Sequence, residues 1–489
     1  MHLPTRTPPS TPLPASRRHL GVTVVLALVG LIASMTQTMV LPLIPRLPAL
    51  LHTSPSSASW VVTAALLAGA AVNPIAGRIG DTYGKRRTVV VLLVLLVIGS
   101  LLDAIASSLT FAVVGRALQG AALAVIPLGI SILRERLPND MAASATSVMS
   151  TMLGVGSAIA LPVSAVIVTH ADWHLLYYAT AAVSLLAVLL VVVWVPRDAT
   201  RLVRPAFDVL GAAGLAVGLT ALLLAVSEGG VWGWSSPAVL CLLVGGILVL
   251  AAWSRWEWRH REPLVNLRSS SRRTVLLTNI VAILIGFATY ALAYVFSQLM
   301  QVPRSSGFGL GLSTLTAAVL VAPGGVLMLV VSPLVGRAIR RWGGKIVLVL
   351  GCSVVACGWA VALAMTRSGW ELALVSCVIS VGVAMAYSAM PILIMDSTPA
   401  GEIAAANGLN TLMRSIGTSG CSAVVAAILA HAMTPGGFPD HNGFVAAFGS
   451  AILAAVLAIM VGLGIPGRSS GDASDSVSNA TSDIVSEKW

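Results

Sequence analysis

The chain has 489 residues, of which 57% are hydrophobic and 10% charged, with a mean hydropathy of +0.93. That balance leaves no stretch polar enough for a soluble catalytic domain. The formal net charge of +11 would suggest nucleic acid in a soluble protein; here it reads as a topology signal, and no nucleic-acid partner is expected.

The elements follow one another as apolar stretches of about 20 residues or more, the length an α-helix needs to cross roughly 30 Å of hydrocarbon. Residues 1–19, rich in Pro, Thr and Ser, are expected to form a disordered cytoplasmic tail. The first stretch, 21–43, has the basic start of a signal peptide in Arg17 and Arg18. It is too long and lacks a small-residue cleavage site, so it is expected to remain as the first membrane helix. Five more follow at 57–77, 88–107, 110–132, 142–168 and 174–195, then a pair at 208–227 and 236–254. The last six lie at 274–298, 312–335, 345–366, 370–394, 402–431 and 443–465. Residues 467–489, rich in Ser, Asp and Gly, read as a second disordered cytoplasmic tail. Long apolar runs without period-2 alternation reject a β-barrel and leave an all-α membrane protein with 14 transmembrane helices. Cys241, Cys352, Cys357, Cys377 and Cys421 all sit inside these stretches, so neither a disulfide framework nor a metal spacing follows from them.

Orientation follows from charge. Of the 29 Lys and Arg residues, 24 fall on the side that carries the N-terminus. Arg46, Arg304 and Arg367 fall on the other, and Arg116 and Arg414 lie within predicted helices. The basic side is expected to be cytoplasmic, with both termini there, as for a multi-pass protein of a bacterial cell membrane.

The chain also repeats itself. Residues 73–84 and 332–343 share Pro, Gly, Arg and a final Gly at a constant offset of 259, and each is expected to end a helix in a tight cytoplasmic turn. Pro138 and Pro399, 261 apart, each precede an Ala-rich helix with Gly near its middle. A parallel repeat of this kind implies two similar bundles related by an axis along the membrane normal. The expected divisions are a six-helix bundle over 20–196, inserted helices seven and eight with their linkers over 197–273, and a second six-helix bundle over 274–466.

The segment Gly77-Arg78-Ile-Gly-Asp81-Thr-Tyr-Gly84-Lys85-Arg86-Arg87 resembles the signature between helices two and three of the major facilitator superfamily. Arg116-Ala-Leu-Gln119-Gly120 is similar to that family's second motif. Fourteen helices rather than twelve resemble its drug:proton antiporter branch, a group of multidrug and antibiotic exporters. The resemblance covers residues 20–466. It implies the major facilitator fold. It also implies that Asp81 holds the two halves together on the cytoplasmic face and that Arg116 is linked to proton coupling. The helix-five segment with Gly154, Gly156 and Pro162 is a softened version of the motif that marks exporters, with Ala160 where glycine is usual. Helix one departs further: the segment 33–42 carries no acid ahead of Leu41-Pro42, and Gln37 is the polar residue left.

The residues support these readings and leave alternatives. Gly77 and Gly84 permit close helix approach and a reversal with positive φ. Asp81, in a turn flanked by Arg78, Lys85, Arg86 and Arg87, is either a local salt bridge or a gate. By repeat arithmetic the gate partner is the helix start near Gly401 and Glu402, whose free N–H groups and partial positive charge suit a carboxylate. The second copy has Arg340 in place of Asp81, so the latch is expected to be one-sided. Arg116 either faces the interior or snorkels outward. Asp103 either pairs with it on the outer half of the cavity, where it could titrate, or caps a loop end in water. Gln119 completes the proton-coupling candidates. Gln37, Asn73, Tyr290, Gln298, Asn407, Asn410 and Arg414 are the substrate-cavity candidates, the last three on one face of helix thirteen. They could equally form a structural network.

His170-Ala-Asp172-Trp173-His174 could present a His pair to zinc, but Trp173 suits an interface anchor and no metal is expected. Trp253, Trp256 and Trp258 among Arg255, Arg259 and Arg261 read as a lipid-headgroup belt. No Walker loop, GxSxG or zinc-protease motif is present, so no enzyme and no cofactor are expected. The expected function is secondary efflux of an amphipathic drug-like or antibiotic-like small molecule against protons. The expected partners are that substrate, protons and the lipid bilayer, and the protein is expected to be a monomer. Secondary uptake and a non-transporting membrane sensor are the alternatives.

Overall fold

Residues 15–43, 47–58, 60–197, 207–260, 263–434 and 438–466 are described by a computed structural model. They form 14 helices long and apolar enough to cross a membrane. The first bundle holds α1 (Ala15–Thr38), α2 (Trp60–Tyr83), α3 (Lys85–Ala104), α4 (Leu109–Arg136), α5 (Asn139–His170) and α6 (His174–Trp194). The inserted pair is α7 (Val209–Trp232) and α8 (Pro237–Arg259). The second bundle holds α9 (Arg273–Gln301), α10 (Thr314–Trp342), α11 (Gly344–Ala362), α12 (Gly369–Ser397), α13 (Ile403–His431) and α14 (His441–Leu463). Among the described residues the one trace of β-structure is an isolated bridge, Met433 to Pro439.

Helices are forced here because hydrocarbon offers backbone groups no partner. Where ends reach water, short polar side chains cap them. Asp208, Ser236, Ser313, Ser368 and Asp440 each accept a backbone N–H three residues on. Pro74, Pro162, Pro323, Pro333 and Pro391 lie inside helices, each removing one ladder hydrogen bond. α4 is interrupted by a 3-10 turn, Ala122–Ala124.

Within the first bundle α1 packs on α5 and α6, and α3 on α4 and α6; within the second, α9 packs on α13 and α14, and α11 on α12 and α14. The bundles meet along two seams, α5 against α10 and α12, and α2 against α13. α7 leans on α2 and α13 through Leu215, Leu219 and Leu223, which share an apolar cluster with Leu67, Leu409 and Leu412. α8 packs on α7 and lies outside both bundles.

Two expectations need correction. Residues 15–19 are helical, because α1 begins at Ala15 and its backbone ladder extends beyond the apolar run. Residues 1–14 and 467–489, the remainder of the expected tails, lie outside the described residues. The expected cytoplasmic turns are also shorter than the motif. α2 stays helical through Tyr83 and α10 through Trp342, so each turn reduces to one glycine, Gly84 with φ 109° and Gly343 with φ 85°. Only glycine takes that backbone without strain, which is why the final glycine recurs at the offset of 259.

Candidate functional site

One end of each seam is built from the repeated motif. Asp81 sits in the last turn of α2, not in a loop. Its side chain is buried, its Oδ1 lies 3.2 Å from Lys85 Nζ, and its Oδ2 accepts the backbone N–H of Ala405 at 3.2 Å. Lys85 also bridges to Glu135 at the end of α4. Ala405 is in the first turn of α13, where backbone N–H groups have no partner inside the helix. Closeness is set by glycine: a methyl group added at Gly77 would sit 2.7 Å from the Ala404 carbonyl oxygen. One turn deeper, a methyl at Gly408 would sit 2.7 Å from the Asn73 carbonyl oxygen.

The other seam repeats this arrangement with different chemistry. Arg340, which occupies the place of Asp81, donates from Nη1 to Ser144 Oγ in α5 at 2.7 Å. A methyl at Gly336, the counterpart of Gly77, would sit 2.5 Å from the Ser144 Cα. Ser144 and Ala405 are themselves 261 apart, the second offset of the repeat. Both seams are therefore bridged at this end, where a contact on the α2–α13 seam alone was expected: Arg340, a donor in the place of the acceptor Asp81, meets a serine hydroxyl. Deeper in this seam Ser147 donates to the Ser332 carbonyl at 2.7 Å, and Thr151 Oγ1 donates to Ser332 Oγ at 3.0 Å. Ser147 also reaches Ser388 Oγ at 2.7 Å. Sequence reasoning passed over this ladder; its one signal is hydroxyls at i and i+4 in an Ala-Ser-Thr-rich helix start.

The other motif residues fall elsewhere. Arg78 lines a cleft at the same end with Asn266, Ser269 and Glu402. There Asn266 Nδ2 and Ser269 Oγ each donate to the Glu402 carboxylate at 2.9 Å, so the linker after α8 is tied to the start of α13. Arg86 Nη2 donates to the Val192 carbonyl of α6 at 2.6 Å, inside its own bundle and away from the seam. On α5, Gly154 faces Met328 of α10, where a methyl would meet its Cε at 2.6 Å. Gly156 faces α1, where a methyl would meet the Leu31 carbonyl oxygen at 2.7 Å.

Arg116 is 1% exposed and faces the interior of the first bundle. Its Nε donates to the Val61 carbonyl at 3.1 Å, and its Nη1 donates to the Thr36 carbonyl at 2.6 Å and to Gln119 Oε1 at 2.7 Å. Gln119 Nε2 donates in turn to Ser100 Oγ at 3.1 Å. One guanidinium thus ties α1 and α2 to α4. Asp103 is also 1% exposed, which removes the water-capped alternative. It packs against Gly115 of α4, and neither oxygen has a hydrogen-bond partner. No Asp103–Arg116 ion pair within 4.0 Å forms among the described residues. The two are therefore buried neighbours rather than a contact ion pair, and backbone carbonyls and Gln119 take the hydrogen bonds of the arginine.

The cavity candidates separate into two groups. Gln37, Tyr290 and Gln298 are half-buried. Tyr290 and Tyr294 stack with ring centroids 6.2 Å apart, and Gln298 hydrogen-bonds Tyr294. Asn73, Asn407, Asn410 and Arg414 are instead buried, no more than 3% exposed. Asn410 Nδ2 donates to Asn279 Oδ1 of α9 at 3.0 Å, and Asn407 Nδ2 donates to the Ile403 carbonyl at 3.0 Å. Between α5 and α6, His170 turns to the Val166 carbonyl and His174 to Asp172, so the two rings do not converge. The backbone N–H and ring of His174 hold the Asp172 carboxyl below the usual carboxylate range.

Comparison with known proteins bears on this geometry. A family model described as Major Facilitator Superfamily matches residues 26–422. An uncharacterised MFS-type transporter of Mycobacterium tuberculosis is 26% identical over 426 residues, covering 84% of this chain and 60% of that protein. The chain thus spans about 60% of the length of that relative. The multidrug transporter MdtP of Bacillus subtilis is 24% identical over 74% of this chain and 66% of its own length. The tetracenomycin C resistance and export protein of Streptomyces glaucescens is 25% identical over 78% of this chain and 70% of its own. Among solved structures, the human organic anion transporter MFSD10 superposes with a TM-score of 0.63 at 16% identity, covering 92% of this chain and all of that one. The proton:xylose symporter XylE gives 0.62 at 16% identity, covering 93% and 97%. At that identity the two structures speak for the fold.

Proposed function

Because this chain belongs to the Major Facilitator Superfamily, we propose that it is a secondary transporter that exports amphipathic, drug-like or antibiotic-like molecules from the cytoplasm in exchange for protons. It acts as a monomer in a bacterial cytoplasmic membrane, with both termini in the cytoplasm. The bundle boundaries at 196 and 274 mark the two rocking halves.

The observation that carries the reading is the double latch. Two seams close at the cytoplasmic face, Asp81 on the Ala405 N–H and Arg340 on Ser144, each with a glycine that lets backbone touch backbone. These contacts stabilise the cytoplasm-closed state, and alternating access requires that they break when the cavity opens inward. Tyr290, Tyr294 and Gln298 then line the cavity on its outer half, since an aromatic-amide stripe facing lipid would be costly. Export rather than uptake is favoured by the small-residue packing of Gly154 and Gly156 and by relatives named for multidrug transport and antibiotic export. Proton coupling falls to Asp103, a carboxylate buried without a hydrogen-bond partner next to the arginine that joins α1, α2 and α4. A proton arriving there changes the charge beside Arg116 and so biases the packing of these helices.

The test is transport by purified protein in vesicles under an imposed pH gradient. An acidic lumen should drive a drug into the lumen, and collapse of the gradient should abolish the accumulation. Accumulation that ignores the gradient would sink the proposal.

A further inference from the structure

The second bundle holds a buried cation for which the protein supplies no anion. Arg414 on α13 is 3% exposed. Its Nη2 donates to Thr411 Oγ1 at 3.1 Å, and its Cζ lies 4.7 Å from the centroid of the Tyr387 ring on α12. Nε and Nη1 have no partner. No carboxylate lies within 4.0 Å of it among the described residues. Two turns below, Asn407 Oδ1 is also without a partner, as are both amide atoms of Asn73 across the seam at Gly408. Arg116 in the first bundle makes the contrast: its guanidinium is occupied by two carbonyls and Gln119.

An unpaired guanidinium in the membrane interior is costly, and such residues face a pathway or a partner. A single tyrosine face and one hydroxyl recover part of that cost. The guanidinium keeps free N–H groups on two edges, Nε on one and Nη1 on the other, and either edge can receive a carboxylate oxygen. The adjoining Tyr387 offers a ring face to an aromatic body.

We propose that Arg414 is the recognition residue for an anionic aromatic substrate, whose carboxylate becomes its counter-ion while Tyr387 contacts the ring system. Arg414 lies 11 residues beyond the α13 start at Ile403, about 16 Å from the cytoplasmic end at 1.5 Å per residue. In the cytoplasm-closed state it is shielded, so the substrate reaches it from the cytoplasm once the α2–α13 seam opens. Its apparent affinity is then lowered by the fraction of protein in that state. The inference deepens the transporter reading by naming the substrate class, and it rests on that reading for its route of entry.

The test is equilibrium binding to the full-length purified transporter, without any gradient. The probes are nalidixate and 1-naphthoate, two aromatic monoanions, with nalidixate methyl ester as the neutral analogue and ethidium as the cation. Both anions should bind saturably to the wild type, and the ester about tenfold or more weakly. Arg414→Gln should lose anion binding by about tenfold or more, and Arg414→Lys, which keeps the charge but not the planar guanidinium, should lose less. No saturable binding of either anion, equal affinity for acid and ester, or preference for ethidium overturns the proposal. The acid–ester comparison needs no variant, so it stands even if Arg414→Gln fails to fold. Loss of binding leaves proton-driven export of other compounds intact, whereas failure of export leaves the binding result intact.

Discussion

At the level of single residues, closure of the cytoplasmic face depends on missing side-chain atoms as much as on present ones. Gly77, Gly336 and Gly408 each place backbone of one half against the other where a methyl would meet it at 2.5 to 2.7 Å. Overpacking of this kind costs about 1–3 kcal/mol, and about 1.4 kcal/mol is a tenfold change in population. Gly77→Ala should therefore shift the protein toward the inward-open state. In a background without the five native cysteines, Ser147→Cys should then label about tenfold faster with an impermeant maleimide added from the cytoplasm. Gly449→Ala, where nothing lies within 4 Å, should label as the parent does. Equal rates in Gly77→Ala and the parent would show that the seam has slack. Asp81, Gly77 and Gly84 were legible because their motif is contiguous. The partners of Arg116 were not, because the Thr36 and Val61 carbonyls belong to the backbone and carry no sequence signal. For Asp103 the sequence left open a pair with Arg116 or a water-capped helix end; packing against Gly115 of the next helix buries it.

At the level of helices, hydropathy alone located all fourteen spans, because a bilayer imposes one length and one polarity on each. It misjudged their ends, where α2 and α10 run on to Gly84 and Gly343 through polar residues that remain helical. The repeat identified where α13 would receive Asp81, yet it did not expose Ser144 as the mate of Arg340. One hydroxyl in a segment full of them has no distinguishing mark. The two latches predict unequal energetics. The Asp81 bond is charge-assisted and buried, worth about 1.5–3 kcal/mol, while the exposed Arg340–Ser144 bond is worth nearer 0.5–1.5 kcal/mol. Asp81→Asn should thus slow transport more than Arg340→Ala, with both variants folded. Their effects on Ser147→Cys labelling should add within about 0.5 kcal/mol, since they sit on separate seams. A strongly non-additive double variant would mean that the seams open as a single contact.

In the molecule as a whole, a latch at one end of the seams is proposed to work with a proton site in the first bundle and a substrate site at Arg414 in the second. Arg116 and Asp103 should part company on substitution. Arg116→Ala strands two buried carbonyls and unties α1 and α2 from α4, so it should lower the melting temperature in detergent along with transport. Asp103→Asn removes a carboxylate that no donor satisfies, so the protein should stay folded while its transport loses pH dependence. Undiminished, pH-dependent transport in Asp103→Asn would remove it as the proton carrier. The most direct measurement of the central claim is accumulation of radiolabelled nalidixate and chloramphenicol in proteoliposomes with an acidic lumen. Proton antiport predicts that lumenal acid concentrates at least one of them inside, that nigericin releases it, and that Asp103→Asn abolishes the effect. Depletion of the lumen by the same gradient, or levels unmoved by it, would contradict proton-driven export.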